Sequence, residues 1–218
     1  MRTIVVGDVH GCLQELQSLL ENVSYTSKDR LVFVGDLVAK GPDSAGVVRL
    51  ARDLGALAVR GNHDEHCLRW RQDARDDRRR AVCESLSEED WAYLENTPLL
   101  LRLEDAYDRP VFVVHAGLDP QTREATDDAF KMNLRSLRDD GSPSKRIEGA
   151  PWASRWPGPE LVIFGHDAVR KLQRHPHALG LDTGCVYGGA LTACILQPGH
   201  EIELVQVPAK QVWCAPKG

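Results

Sequence analysis

The stretch Thr3-Ile4-Val5-Val6-Gly7-Asp8-Val9-His10-Gly11 decides the fold: four β-branched residues, three of them apolar, are followed by a glycine, an acid and an imidazole. A short apolar run ended by glycine reads as a strand buried on both faces. The pattern returns at Leu31-Val32-Phe33-Val34 before Gly35-Asp36-Leu37, at Val111-Phe112-Val113-Val114 before His115-Ala116-Gly117, and at Leu161-Val162-Ile163-Phe164 before Gly165-His166-Asp167. The shorter Leu57-Ala58-Val59 precedes Gly61-Asn62-His63-Asp64. In α/β sheets the strand ends share one rim, so clusters remote in sequence can meet there.

Between these runs the period changes. Leu13, Leu16, Leu19 and Leu20 follow helical spacing, Gly41-Pro42-Asp43 announces a helix from Ser44 to Leu54, and another begins near Asn62. Repeated βα units predict parallel strands with helices outside. Residues 69–109 read as a helical insertion, with a charged run at Arg71 to Arg80 and a helix start at Ser87-Glu88-Glu89-Asp90-Trp91. Residues 119–159, rich in Asp, Arg, Ser, Pro and Gly, read as an irregular insertion beside the rim. Leu179 to Leu181, Ala190 to Leu196 and Ile202 to Val207 read as further strands, expected in an antiparallel second layer. The expectation is one α/β domain over residues 1–218, with two mixed sheets packed as a sandwich and flanked by helices.

Composition narrows the function. With 27% charged and 42% hydrophobic residues in 218, neither a disordered chain nor a membrane protein is indicated. A net charge of −5 gives no broad attraction to nucleic acid, so an anionic substrate must be drawn locally. The apolar run after Met1 is too short for a signal peptide, which predicts a cytoplasmic location. Six cysteines without Cys-x-x-Cys spacing argue against zinc-ribbon and thioredoxin-like chemistry and for reduced, packed thiols.

Asp8 and His10 could turn toward one cation, Asp36 could bridge to a second, and Asn62, His115 and His166 supply a neutral oxygen and two imidazoles. Two divalent ions bridged at about 3.5–4 Å bind a phosphoryl oxygen and generate a hydroxide nucleophile at neutral pH, which points to phosphoester or phosphoanhydride hydrolysis. Alone, Asp8 or Asp36 reads as a helix-capping acid, and a single histidine after a strand more often as a structural group than as a ligand. Five such clusters together supply a ligand set that chance rarely assembles. The interleaved acids of Arg75 to Arg80 suggest a solvated helix face rather than a contact for polyphosphate, and His66 a surface imidazole. Arg60 serves phosphate or an internal ion pair equally well.

These clusters resemble the signature blocks of the calcineurin-like metallophosphoesterases, in the order shown by their phosphoprotein-phosphatase branch. Ala168 stands where the wider superfamily has a second histidine, as in that branch. Gly35-Asp36-Leu37-Val38-Ala39-Lys40-Gly41-Pro42 and Leu181-Asp182-Thr183-Gly184-Cys185-Val186-Tyr187-Gly188-Gly189 are similar to the symmetrical diadenosine tetraphosphatases and their ApaH-like relatives, and the match runs from Thr3 to about Thr192. The resemblance implies a metallophosphoesterase fold with one metal on Asp8, His10 and Asp36 and another on Asp36, Asn62, His115 and His166. It implies His63 as the proton donor, and the Asp, Asn and His donors accept manganese, cobalt, iron or zinc, manganese being the expected ion.

Lys40 takes the place of a phosphate-contacting arginine, Arg155 falls near another, and Tyr187 resembles a tyrosine close to the metals. The tryptophans flanking Arg155 fit packing or base stacking equally well. Ala39 replaces the acid that supports the catalytic histidine in eukaryotic protein phosphatases, a role Asp64 could take over in part. Without that acid, anhydrides are favoured over phosphoserine. The implied activity is symmetrical cleavage of diadenosine tetraphosphate into two ADP. A serine/threonine protein phosphatase, with phosphoproteins as partners, is the second expectation, and a polyphosphatase or RNA-decapping pyrophosphatase the third. No membrane or nucleic-acid partner is expected.

Overall fold

The computed structural model describes residues 1–73 and 76–215. The chain runs β1 (Thr3–Val6), α1 (Leu13–Asn22), β2 (Arg30–Phe33), α2 (Ser44–Asp53), β3 (Leu57–Ala58), α3 (Asn62–Trp70), α4 (Asp77–Ser85), α5 (Glu88–Glu95), β4 (Leu100–Leu103) and β5 (Val111–Val114). It continues through α6 (Asp128–Lys131), the short strands β6 (Ser136–Leu137), β7 (Pro143–Ser144) and β8 (Ala150–Pro151), and the 3-10 turn Trp152–Arg155. The remaining elements are β9 (Leu161–Phe164), β10 (Gln173–His175), β11 (Ala178–Gly180), the 3-10 turn Cys185–Tyr187, β12 (Ala190–Leu196) and β13 (Glu203–Pro208).

Two five-stranded mixed sheets stack on each other, in the orders β13-β12-β1-β2-β3 and β10-β11-β9-β5-β4, and β7-β6-β8 forms a small third sheet. The doubly apolar strands follow from the stacking, because successive side chains point to opposite faces. Val5, Val32 and Val34 of the first sheet and its loops meet Val111, Val113, Leu161 and Ile163 of the second. On the outer face of the first sheet, Ile4, Val6, Leu31 and Phe33 pack with Leu16 and Leu19 of α1 and Val47, Val48 and Ala51 of α2. On the outer face of the second, Phe112, Val114, Val162 and Phe164 are covered by Leu118, Leu134, Trp152 and Trp156. Each such side chain contributes about 1.5–3 kcal/mol on burial.

Three expectations change. β12 does not lie in a second layer: it pairs antiparallel with β1, with Thr3 opposite Leu196, and inserts into the first sheet, with β13 at its edge. Of the three late runs expected there, β11 alone joins the second sheet, parallel to β9 and antiparallel to β10. The helical insertion holds α4 and α5 but also β4, which pairs antiparallel with β5. The irregular insertion contains the small third sheet, whose two-residue strands carry no periodic signal.

Helix starts match their signals. Asp43 accepts from Gly46 N at 2.7 Å, and Ser87 Oγ accepts from Asp90 N while Asp90 accepts from Ser87 N. Helix α4 has no buried residue, in keeping with a solvated face over Arg78 to Arg80, and Arg75, the first residue of that run, lies outside the described residues. All six cysteines are free. None of the described helices is long and apolar enough to cross a membrane.

Candidate metal centre

The parallel strands β1, β2 and β3 of one sheet and β5, β9 and β11 of the other each end on a loop that carries polar residues into one region. The donor atoms of His10, Asp36 and His63 lie within 4.8 Å of one another, as do those of Asp8, Asp36 and His115. Asp36 alone belongs to both groups. Asn62 Oδ1 lies 3.0 Å from His115 Nε2 and 3.0 Å from His166 Nδ1, completing a second cluster on the same acid, whose Oδ1 is 3.5 Å from His115 Nε2.

The loops reach this geometry at a conformational cost. His10, Asp36 and His166 adopt φ of 48°, 52° and 66°, and Ala39 and Lys40 follow at 69° and 66°. Left-handed backbone at non-glycine residues costs about 1–3 kcal/mol each and persists where surrounding contacts enforce it. Asp64 supplies such contacts: its carboxylate accepts from the backbone N–H groups of Asp36 at 2.8 Å, Leu37 at 2.9 Å, Val38 at 3.3 Å and Gly61 at 2.9 Å. Both oxygens are therefore spent on the loop, and Asp64 braces Asp36 instead of supporting His63. Glycine precedes two ligand positions because nothing larger fits: a Cβ on Gly61 would lie 2.1 Å from Asp36 Oδ1, and one on Gly165 would lie 1.9 Å from Asp8 Oδ1.

Backbone carbonyls set the imidazoles. His10 Nδ1 donates to Val38 O at 3.1 Å and His115 Nδ1 donates to Val34 O at 2.8 Å, so each Nε2 carries the lone pair that a metal needs. His115 Nε2 then faces Asn62 Oδ1 and Asp36 Oδ1 with no proton to share. Several acceptors converging on one point are stabilised by a cation, so the residues fit a metal pair. The charge balance agrees. Asp8, Asp36 and Asp182 are all buried, and Lys40 stands among them as a cation, its Nζ 2.8 Å from His10 Nε2.

Burial, then the neighbouring Asp182 and Asp36, pushes Asp8 well above the usual carboxylate range. Burial would raise Asp36 too, but the surrounding His115, His63, His10 and Lys40 outweigh it and hold this carboxylate well below that range. Burial lowers His10 to about 3, with Lys40 and His63 adding to it against the pull of Asp36. His63 falls to about 4, again mainly by burial. Neutral imidazoles beside an ionised Asp36 are the forms that ligate.

The structure brings Asp8, His10, Asp36, Asn62, His63, His115 and His166 together. Tyr187 is close as well, its ring centroid 5.2 Å from Lys40 Nζ. Arg155 is exposed on its 3-10 turn and makes no ion pair among the described residues. Arg60 is used internally, by Glu65 and by the carbonyl of Glu95. His66 is exposed, with its ring centroid 5.8 Å from that of His63.

Sequence reasoning gave no role to Asp182, the acid delivered by β11. Buried beside Asp8, it is pushed up to about 6 by its desolvation, against the N–H of Gly184 that it accepts at 3.0 Å. Its signal was present in Leu179-Gly180-Leu181-Asp182, an apolar run ending in an acid like the others. Arg135, whose charge acts on His166, was missed too, and nothing in its local sequence marks it.

A family model described as calcineurin-like phosphoesterase matches residues 1–178. A bis(5'-nucleosyl)-tetraphosphatase of the asymmetrical type from Oceanobacillus iheyensis is 30% identical, over 100% of this chain and 96% of its own length. A symmetrical bis(5'-nucleosyl)-tetraphosphatase from Vibrio parahaemolyticus is 31% identical, over 88% of this chain and 94% of its own. A crystal structure of a candidate diadenosine tetraphosphatase superposes with a TM-score of 0.85 at 41% identity, covering 95% of this chain and 93% of that one.

Proposed function

The chain belongs to the calcineurin-like phosphoesterase family and is a metal-dependent phosphohydrolase; from that premise we propose that it cleaves diadenosine tetraphosphate symmetrically into two ADP. The observation that favours an anhydride is the Nδ1 of His63, which is buried without a hydrogen-bond partner. Ala39 offers only a methyl group and a backbone N–H already given to Ser44 Oγ at 3.0 Å. An imidazolium at His63 has no carboxylate behind it, which weakens proton donation to an alkoxide. A nucleoside diphosphate is a much weaker base and leaves with little protonation.

Asp8, His10 and Asp36 would hold one divalent ion, and Asp36, Asn62, His115 and His166 the other. When bound, the pair supplies Lewis acidity and activates water at neutral pH; manganese is the expected ion, and cobalt, iron and zinc suit the same donors. The protein's own groups bind and orient. His63, fixed by its backbone N–H to Asp36 Oδ1 at 2.8 Å, faces the cluster as the proton donor to the departing oxygen, a role its lowered pKa keeps weak and a diphosphate leaving group needs little. Lys40 supplies fixed positive charge to a phosphate, and Tyr187 steadies it by the attraction of a cation to an aromatic face. Arg155, whose guanidinium makes no ion pair among the described residues, is available to a second phosphate.

A second reading, asymmetrical cleavage, is favoured by the full-length similarity to the relative from Oceanobacillus iheyensis. Product analysis separates the two. With manganese and diadenosine tetraphosphate, ADP as the sole product supports the symmetrical reading, and ATP with AMP replaces it by the asymmetrical one. Faster turnover of a phosphopeptide than of the dinucleotide would overturn the anhydride preference itself.

A further inference from the structure

Asp167 follows His166 directly and lies buried between two guanidinium groups, accepting from Arg135 Nη1 at 2.8 Å and from Arg170 Nη1 at 2.6 Å. One carboxylate faces two cations, and neither arginine has another acidic partner among the described residues. A net positive charge therefore remains beside a metal-ligand loop. The two arginines divide the work unequally. Arg170 is held through both terminal nitrogens, with Nη1 also donating to the carbonyl of Arg135 at 3.2 Å and Nη2 donating to Ser136 Oγ at 2.9 Å. Among the described residues Arg135 is held through one nitrogen only, its side chain is 23% exposed, and the rest of its planar fork makes no hydrogen bond there.

Its backbone is fixed as well. Arg135 N donates to Ser144 O at 2.9 Å, and Arg135 O accepts from Trp152 N at 3.4 Å. A guanidinium tied by one edge and open along the other is preorganised for bidentate contact with phosphate oxygens. Its position complements that of Lys40. Lys40 stands over His10 at the end of the first sheet, whereas Arg135 is held on Asp167, next to the ligand His166 at the end of the second, so the two cations sit beside ligands that different sheets deliver.

We propose that Arg135 is a phosphate-binding residue that takes the portion of a polyphosphate chain on the His166 side of the scissile bond, opposite Lys40. This rests on the substrate reading above and deepens it: a substrate with phosphates on both sides of the cleaved bond needs a cation at each flank. A monophosphate ester needs only one. Arg170, spent on Asp167 and Ser136, holds the acid that aims Arg135.

The test compares Arg135→Gln and Arg135→Lys with the parent enzyme, all manganese-loaded. For diadenosine tetraphosphate, Arg135→Gln is expected to raise KM about tenfold, the loss of one good charged contact, while kcat stays within about threefold. Arg135→Lys should recover part of the KM. Calorimetry with ADP, read without turnover, should show a matching loss of affinity in Arg135→Gln. An unchanged KM overturns the proposal. A fall in kcat at constant KM, or a loss of bound manganese, also overturns it, because Arg135 would then merely brace the His166 loop. If the parent hydrolyses p-nitrophenyl phosphate but not the dinucleotide, the substrate reading fails separately, and the ADP titration still decides whether Arg135 binds phosphate.

Discussion

The two ends of the same strands carry opposite kinds of electrostatics. Where β1 and β2 begin, Arg2 meets Asp29 at 2.8 Å and Arg30 meets Asp105 at 2.7 Å, pairs with solvent access and matched charge. Where these strands end, Asp8 and Asp36 are buried with Asp182 and Asp64 close by, and Lys40 is the cation that acts on both Asp8 and Asp36. The apolar residues between are similar in kind, so the difference lies in the loops. The starting edge settles its charges within the protein, and the finishing edge leaves a deficit that bound cations would make up. Changes at the finishing edge should reach activity first, and changes at the starting edge only stability.

The sharpest break is Asp36→Asn, which removes the one acid shared by both donor groups. It should lower kcat by on the order of 10^3-fold or more while circular dichroism stays unchanged. Full activity in that variant would remove the bridging role. Next comes Gly165→Ala, whose added methyl must displace the carboxylate of Asp8. A misplacement of about 1 Å in a catalytic group costs roughly 100-fold in rate, and steady-state kinetics would show it.

Asp64→Ala tests whether loop strain is held by hydrogen bonds. Losing an acceptor for four backbone N–H groups should destabilise by about 3–5 kcal/mol, and thermal melting should fall by roughly 10 °C. A melt unchanged within a degree would mean the loop holds itself. Ala39→Asp sharpens the substrate argument. If His63 lacks a partner, the new acid should raise activity on phosphomonoesters relative to anhydrides about three- to tenfold, read as a ratio of kcat/KM values.

The smallest effect belongs to the starting edge. Arg2 holds Asp29 below the usual carboxylate range, so this pair contributes stability above the unfolded pKa of about 3.9, and the contribution is lost as pH falls through the lower folded value. Arg2→Ala should therefore cost about 0.5–1 kcal/mol at pH 7, fade toward pH 2, and leave turnover unchanged. Denaturant titration at the two pH values reads it.

Much of this contrast was legible in the sequence because its signals are local. Thr3–Val6, Val111–Val114, Leu161–Phe164 and Ala190–Leu196 are strands with the bounds their apolar runs suggest. The polar residues that follow the runs could be read as a set, since strand ends of one sense share an edge. What stayed hidden depends on pairing across distance. The place of β12 beside β1 is decided by backbone hydrogen bonds between residues nearly two hundred positions apart, and its alternation fits either sheet. β4 looked like part of a helical insertion because only its pairing with β5 makes Leu100–Leu103 a strand. Asp64 shows the same limit from the other side. Its neighbours in sequence suggested catalysis, and only the fold revealed its oxygens turned to four backbone amides.

Metal stoichiometry tests the centre of the account most directly. Protein stripped with chelator, reloaded with manganese and desalted should bind two ions per chain by elemental analysis, with hydrolysis absent after stripping and restored on reloading. Hydrolysis undiminished in stripped protein, or a reloaded chain that retains no metal, would contradict it.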